Sequence, residues 1–412
     1  MTARSARVVA TVLCTAAAAS AAAQEPAAGS TLVDAITGGN AQLAFRYRYE
    51  HVSQDTSDDD ANASTLRVRL NYETGAWQNW SGLAEFDYIG HLLVRDFNTG
   101  AGTSPGRTQY PVVADPKGAD LNQLYLDYAA SERLQLRLGR QRILLDNQRF
   151  VGGVGWRQNE QTYDGISLTY DEADRFSVFY SYVGRVNRIF GERSAAGKNS
   201  VHAQLLHGNV SINADWKVVP YVYYIDNDDV PAFSTATAGA RLSGHVPAGD
   251  SKLAVTAEFA TQSDAANAPL SYRASYWHAS LGYDVTKAVS VAIGFESLGG
   301  NQNNAGEQFR TPLATLHAFQ GWADQFLATP DAGVNDTYAR LGWQFAAWKL
   351  TAIYHDFRAQ DGGARWGSEL DVSVARKLGD RYGLLLKAAL FSADEPPFSD
   401  VSKLWLQLTA GF

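Results

Sequence analysis

Between residues 42 and 50 apolar and polar side chains alternate without a break, with Leu43, Phe45, Tyr47 and Tyr49 set against Gln42, Ala44, Arg46, Arg48 and Glu50. A second segment repeats the pattern, with Leu66, Val68, Leu70 and Tyr72 against Arg67, Arg69, Asn71 and Glu73. A period of two sends the two sets to opposite faces of a β-strand, so each segment is greasy on one side and charged on the other. Runs of about nine to eleven such residues suit a strand that crosses a bilayer at a tilt, and exceed the usual strand of a soluble domain. Further alternating segments lie at 80–92, 120–129, 133–142, 163–170, 175–184, 200–211, 217–225, 234–246, 252–261, 271–283, 288–297, 336–345, 348–357, 366–377, 382–391 and 401–412. With 41–51 and 64–74 they predict about eighteen strands, an even number. Segment 200–211 is the weakest, since neither phase of it is clean.

The connections keep step with the strands. They are long and polar after the first segment (SQDTSDDDANA) and the third (residues 96–119), short after the second (GAWQN) and the fourth (AASE), and short again at DEAD, NADW, PAGD, DVTK, AA and LGDR. An up-and-down barrel in a membrane has short turns at one rim and longer loops at the other, whereas a soluble sandwich has no reason to keep two classes of loop in alternation. The expected fold class is therefore all-β, a transmembrane antiparallel up-and-down β-barrel with short periplasmic turns, long outer loops and both termini on the periplasmic side. The last segment places Leu404, Leu406, Leu408, Ala410 and Phe412 against Lys403, Gln407 and Thr409. Its terminal aromatic, in the lipid-facing phase, resembles the C-terminal signal of Gram-negative outer-membrane barrels.

Composition narrows the class further. Residues 1–23 read as a secretory signal peptide: Arg4 and Arg7, an Ala/Val/Leu run, then Ala21, Ala22 and Ala23 before Gln24. Cys14, the one cysteine, lies inside it after bulky Leu13, which disfavours lipid attachment. Export through the Sec pathway without disulfides excludes a small cystine-stapled domain. Loss of Arg4 and Arg7 takes the formal charge from -8 down by two, to -10, which argues against nucleic acid as a partner. No apolar run after the leader reaches the roughly 18 residues of a spanning helix. The aromatic share of 12%, with 20 Tyr and 10 Trp, suits a barrel in the Gram-negative outer membrane, in contact with its lipid and lipopolysaccharide. The domains expected are the leader (1–23), an N-terminal periplasmic segment (24–40) and one barrel (41–412).

If the apolar phase of each strand faces lipid, where an ion at mid-depth costs about 2–4 kcal/mol, the opposite phase lists the lumen. Its bases include Arg46, Arg48, Arg67, Arg69, Arg137, Arg241, Arg340 and Lys387; its acids include Glu50, Glu73, Glu85, Asp87, Asp127, Glu258, Glu369 and Asp371. Any single lumen charge can merely hydrate the wall through a cross-strand pair. As a set, Arg46, Arg48, Arg67 and Arg69 lie on two adjacent strands and form a basic patch, suited to two-point contacts with carboxylates of a solute.

Residues 138–165, LGRQRILLDNQRFVGGVGWRQNEQTYDG, break the pattern, mixing Arg140, Arg142, Arg149 and Arg157 with Gly139, Gly152, Gly153 and Gly155. The stretch has no amphipathic face of its own, so something around it must shelter its backbone. Strict alternation after Leu134, Leu136 and Leu138 would put Arg140 and Arg142 against lipid. A bulge near Gly139 that reverses the phase is expected to turn both inward; the other reading is that the strand has already risen above the hydrocarbon. The next connection, residues 143–162, either folds into the mouth as a constriction carrying Arg149 and Arg157 with Asp146, Asn147, Gln148 and Asn159, or stays outside as a surface loop. In a second long connection, 298–335, Leu313, Leu316, Phe319 and Trp322 recur near helical spacing after Thr311 and Pro312, which predicts one or two short helices at the outer mouth.

The run GRQRILLDNQRFVGGVGWRQNEQTYDG, with the later FRTPLATLHAFQGWADQF, resembles the alginate export family of Gram-negative outer-membrane β-barrel porins. The resemblance implies an eighteen-stranded monomeric barrel with a basic, narrowed lumen that passes an anionic polyuronate. Carried over residue by residue, it implies lumen or constriction roles for Arg140, Arg142, Asp146, Asn147, Arg149 and Arg157. The surrounding wall departs from a purely basic one, through Glu85, Asp87, Asp127, Glu369 and Asp371.

No chemistry competes with transport. The eight histidines keep no metal spacing, and no HExxH, paired CxxC, GxSxG or phosphate-binding loop occurs, so no cofactor and no catalytic residue is expected. The acidic run Asp55, Asp58, Asp59 and Asp60 reads as a solvated loop before it reads as a calcium site. The expectation is a passive outer-membrane channel for carbohydrate-like, anionic solutes, with Arg46, Arg48, Arg67, Arg69, Arg137, Arg140, Arg142, Asp146, Asn147, Arg149 and Arg157 lining its path, and with room for a periplasmic partner. The rivals are a general diffusion porin and, from another class, a hydrolase built from a Ser/His pair at the outer rim.

Overall fold

The structure, a computed structural model, describes residues 31–249 and 251–412. The leader expected at 1–23 lies outside the described residues. A short helix, α1 (Leu32–Thr37), is followed by eighteen strands: β1 (Asn40–Gln54), β2 (Ala61–Glu73), β3 (Trp80–Asp96), β4 (Gly118–Ala129), β5 (Leu134–Gln141), β6 (Thr162–Glu172), β7 (Phe176–Asn187), β8 (Lys198–Ser211) and β9 (Trp216–Asn227). The second half gives β10 (Thr235–Ala248), β11 (Ser251–Asp264), β12 (Arg273–Asp284), β13 (Val289–Leu298), β14 (Val334–Phe345), β15 (Trp348–Arg358), β16 (Arg365–Leu378), β17 (Tyr382–Ala393) and β18 (Val401–Gly411). Every strand pairs antiparallel with its sequence neighbours, and β1 closes on β18 with Arg46 opposite Thr409 and Glu50 opposite Trp405. All the strands expected from alternation are present, including the ambiguous one, which is β8.

The two phases separate as lipid and lumen faces require. Leu124 and Leu126 on β4, Leu138 on β5 and Ile166 on β6 are each half exposed on the outer surface, while Arg48, Glu50, Glu369 and Asp371 are buried within the barrel. At the short-turn rim an aromatic girdle surrounds the wall, including Trp80 tilted against Tyr128 at 4.7 Å, Trp343, Trp348 and Tyr382, with Phe412 edge-on to Phe45 at 6.2 Å. The buried apolar residues do not lie between layers. They gather inside the barrel, where Phe150, Trp156, Phe309, Leu313, Trp322 and Phe326 come from the two long connections and meet wall residues such as Tyr221, Tyr276, Phe357 and Trp405.

Two local expectations are corrected. No bulge forms at Gly139: β5 pairs with β4 and β6 in unbroken register, and buried Gln141, which accepts a hydrogen bond from Ser167 at 2.9 Å, keeps the inward phase of Arg137. The nearby irregularities fall on other strands, at Asn122 of adjacent β4 and at Gly184 of β7, one strand beyond β6. Arg142 turns inward because β5 ends at Gln141, one residue before it. The connection 299–333 forms no α-helix, only a 3₁₀ turn at Leu316–Ala318. Its backbone groups have tertiary partners instead, with the N–H of Gly152 donating to the Leu313 carbonyl, and those of Trp322 and Ala323 donating to Asp371 and Glu369. A chain segment whose donors are claimed one by one by a surrounding wall has no need of helical bonds.

Candidate pore constriction

From Arg142 to Gln161 the chain runs inside the barrel, and the wall arginines hold it there. Arg46 spends all three of its donor groups on this segment: Nε on the Gln158 side chain at 3.0 Å, Nη1 on the Gly155 carbonyl at 2.8 Å, and Nη2 on the Arg157 carbonyl. Arg48 donates to Gln407 at 2.6 Å and lies 3.9 Å over the Trp156 ring. Gln158 donates its N–H to Asp115 at 2.7 Å and its side-chain amide to Thr65 at 2.8 Å. Arg157 reaches Glu50 at 3.2 Å. The basic patch expected to meet solute is thus mostly a clamp on the inward segment.

Glu160 gathers the rest of that patch. Its carboxylate pairs with Arg69 at 2.9 Å, Arg67 at 3.4 Å and Arg142, while Arg69 also donates to both carboxylate oxygens of Asp87, at 2.7 and 2.6 Å. Arg142 turns a second donor to Glu85 and sends its backbone N–H to Gln123 at 3.0 Å. Burial works to raise the Glu160 carboxyl, but Arg142, then Arg69 and Arg67, outweigh it and hold the group well below the usual carboxylate range.

The remaining candidates are spread around the lumen. Arg149, buried, donates to Glu296 of β13 at 2.6 Å and to Gln320 at 3.1 Å, tying the two long connections together. Asn147 accepts the Arg149 backbone N–H at 3.0 Å, which fixes a turn in which Asp146 has φ +50° and Gln148 φ +65°. Asp146 pairs with Arg241 at 2.8 Å. Arg137 pairs with Asp127 and covers Tyr125 at 3.9 Å, on the wall near the short-turn rim. Arg140 lies apart from the others, at the upper end of β5 among Asp164, Glu192 and the Leu121 carbonyl.

The two inward connections are sealed together and latched to one side of the wall. Thr315 donates its N–H to the Gln148 carbonyl at 3.0 Å and its hydroxyl to the Gln148 side chain at 2.8 Å. At the latch, Lys387 of β17 places its ammonium 3.7 Å from the ring centre of Trp322, 4.2 Å from Trp156 and 5.3 Å from Trp405, and donates to His317 Nε2 at 2.6 Å. His317 Nδ1 then donates to Asp324, which pairs with Lys403 of β18 at 2.7 Å. Burial drives the His317 imidazole down to about 3, against the pull of Asp324, so the ring is neutral at physiological pH and can accept from one neighbour while donating to the other.

Sequence reasoning missed Glu160, Gln158 and the cage of Trp156, Trp322 and Trp405 around Lys387. One signal was present: Glu160 is the lone carboxylate between Asp146 and Asp164, in a segment with two arginines. The cage had none, since its members come from three distant parts of the chain. Arg340 differs from all the candidate arginines. It faces the lumen between Ala292 and Ile353, and among the described residues its side chain makes no ion pair and no hydrogen bond.

Residues 39–182 match the alginate export family. That stretch, about a third of the chain, holds Arg46, Glu160 and the strands from β1 into β7, and it is similar to this family. No curated protein sequence matches the chain. The barrel as a whole has the fold of outer-membrane porins. OccK9 (OpdG) of Pseudomonas aeruginosa superposes with a TM-score of 0.71 at 16% identity over 92% of this chain and 99% of its own. OccAB2 of Acinetobacter baumannii does so with a TM-score of 0.71 at 14% identity, over 92% and 99%. OpdK of Pseudomonas aeruginosa, solved with vanillate, gives 0.69 at 13% identity, over 92% and 99%.

Proposed function

We propose that the chain is an outer-membrane channel for the passive passage of carbohydrate-like, anionic solutes of the uronate type, narrowed by the inward segment 142–161. The observation that carries this reading is the pinning of that segment inside the lumen by Arg46, Arg142, Arg149 and Arg157, which supports a restricted bore over an open one. Most of the lumen arginines spend their charge on carboxylates and on loop carbonyls. Partly exposed Arg142 and unpaired Arg340 keep guanidinium surface for a passing anion. Arginine forks favour carboxylates in two-point contact. That OpdK is solved with vanillate, a small organic anion, agrees with a fold suited to such cargo.

No energy source is built into the chain, so flux follows a gradient. Against a rim hydrolase stands the matched family, which is one of export. Planar-bilayer recordings of purified protein, with and without uronate oligomers, test the reading. Anion preference and block by oligomers are expected. An unselective, unblocked conductance marks a general diffusion porin instead, and alanine at Arg142 and Arg149 that left selectivity and block unchanged would remove the constriction from the account.

A further inference from the structure

The helix ahead of the barrel turns its apolar side outward. In α1, Leu32 is 50% exposed, Val33 64% and Ile36 49%, while Ala35 is buried. At about 100° per residue, Leu32, Ile36 and Val33 fall on one arc of the helix and Ala35 lies outside it. Three large apolar side chains on six residues are an unusual surface to leave in water.

The helix is firmly placed. Thr31 and Asp34 form a reciprocal capping box, with the Asp34 N–H donating to the Thr31 hydroxyl at 3.2 Å and the Thr31 N–H donating to the Asp34 carboxylate at 2.8 Å. The Gly75 N–H, in the turn after β2, donates to the Ala35 carbonyl at 2.9 Å, and the Tyr72 hydroxyl donates to the Ile36 carbonyl. Gly39 allows this close seat, since a Cβ there would collide with the Tyr72 hydroxyl. Tyr72 shares the outward phase of β2 with exposed Leu70, opposite buried Arg69. The helix therefore sits on the outside of the wall at the short-turn rim, against the turn that leads from β2 to Trp80 of the aromatic girdle. Its apolar arc continues the lipid-facing band where Trp and Tyr rings mark the membrane interface.

We propose that α1 is an interfacial anchor whose occupant is lipid: Leu32, Val33 and Ile36 enter the inner leaflet of the bilayer beside the wall, between the acyl chains and the headgroups. The inference rests on the barrel's being membrane-embedded, and the test separates the two. Cys14 is the only cysteine of the chain. A Cys14→Ser background therefore allows single nitroxide labels at Val33→Cys, at Leu70→Cys on the outer wall, and at Asp58→Cys in the outer loop. In protein reconstituted into phospholipid vesicles, collisions with oxygen, which concentrates in lipid, are compared with those of a water-soluble nickel chelate. The label at position 33 is expected to favour oxygen as the label at position 70 does. A position-33 label that favours nickel as position 58 does overturns the anchor, and one shielded from both reagents does so too, in favour of a protein partner or a second copy. Failure of position 70 itself would instead strike at the membrane reading.

Discussion

Lys387 holds its ammonium 4.2 Å from the centre of the Trp156 ring, and the same ammonium lies 3.7 Å from Trp322. One wall cation therefore joins two connections whose roots are far apart in the chain, and the bond it donates to His317 adds a directional contact. A desolvated cation–π contact contributes about 2 kcal/mol, and a hydrogen bond to a charged group about 1.5–3 kcal/mol. Lys387→Met, which keeps length and removes charge, should release both connections while the backbone ladder keeps the barrel closed. Single-channel recordings should show a larger, flickering conductance, with unchanged heat-modifiable mobility on gels as the control for folding. A trace identical to that of the native protein would mean that the latch does not hold the constriction.

Glu160 is shared by three arginines, of which Arg67 has no other carboxylate partner among the described residues. Glu160→Gln should therefore raise the anion preference, read as a shift in reversal potential under a salt gradient. It should also loosen the inward segment by about 3–5 kcal/mol, the usual cost of breaking a buried ion pair from one side. Because the carboxyl is held well below its ordinary value, its contribution is complete above the unfolded value of about 4.3 and is lost only as pH falls through the depressed one. The native protein should show no Glu160-dependent change in selectivity between pH 7 and about 4.5, and the difference from Glu160→Gln should shrink only in stronger acid.

The wall and the plug differ sharply in how legible they are from sequence. The eighteen strands come from a period-two pattern that lipid on one side and charge on the other impose residue by residue, so even β8 can be placed from its position in the loop alternation. The inward connections keep no such period. Leu313, Leu316, Phe319 and Trp322 mimic helical spacing, yet Leu313 bridges to Val151, Phe319 lies near Arg149 and Trp322 covers Lys387. Each answers to a different distant neighbour, two in the other connection and one in the wall, which no local pattern records. The strand arginines are legible as inward residues but not as clamps, because the carbonyls that Arg46 binds carry no side-chain signature.

Gly139 is a point where the chain can scarcely accept a side chain. It has φ +128°, and a Cβ would collide with the Leu124 carbonyl oxygen and stand 2.9 Å from the Tyr125 Cα, both backbone of the neighbouring strand. Backbone strain of this kind costs about 1–3 kcal/mol before the clash is counted. Gly139→Ala should lower the urea midpoint of the refolded barrel and the fraction that reaches the heat-modifiable form. Gly155→Ala is the matched control, since a Cβ there meets nothing within 4 Å, and a change within about 0.5 kcal/mol is expected. Equal effects of the two substitutions would show that the β4–β5 contact is not the cause.

Arg340 offers the sharpest test of charge selection, because its charge is not already committed. Arg46, Arg69, Arg142, Arg149 and Arg157 each sit against a carboxylate or a carbonyl, so removing any one disturbs the inward segment as well as the field in the lumen. Arg340 lies on the lumen face of β14 with Ala292 and Ile353 as its cross-strand neighbours, and lipid-facing Leu341 is next in sequence. A field change there should act on permeating ions without moving the plug. Arg340→Glu replaces one positive charge with a negative one and should shift the reversal potential toward cation preference, with the shift larger at low salt, where the Debye length grows from about 10 Å at 0.1 M to about 30 Å at 0.01 M. Arg340→Gln should give a change of the same sign and smaller size, and block by uronate oligomers should weaken in the same order. If both variants conducted and were blocked as the native channel is, the solute path would lie elsewhere than along β14.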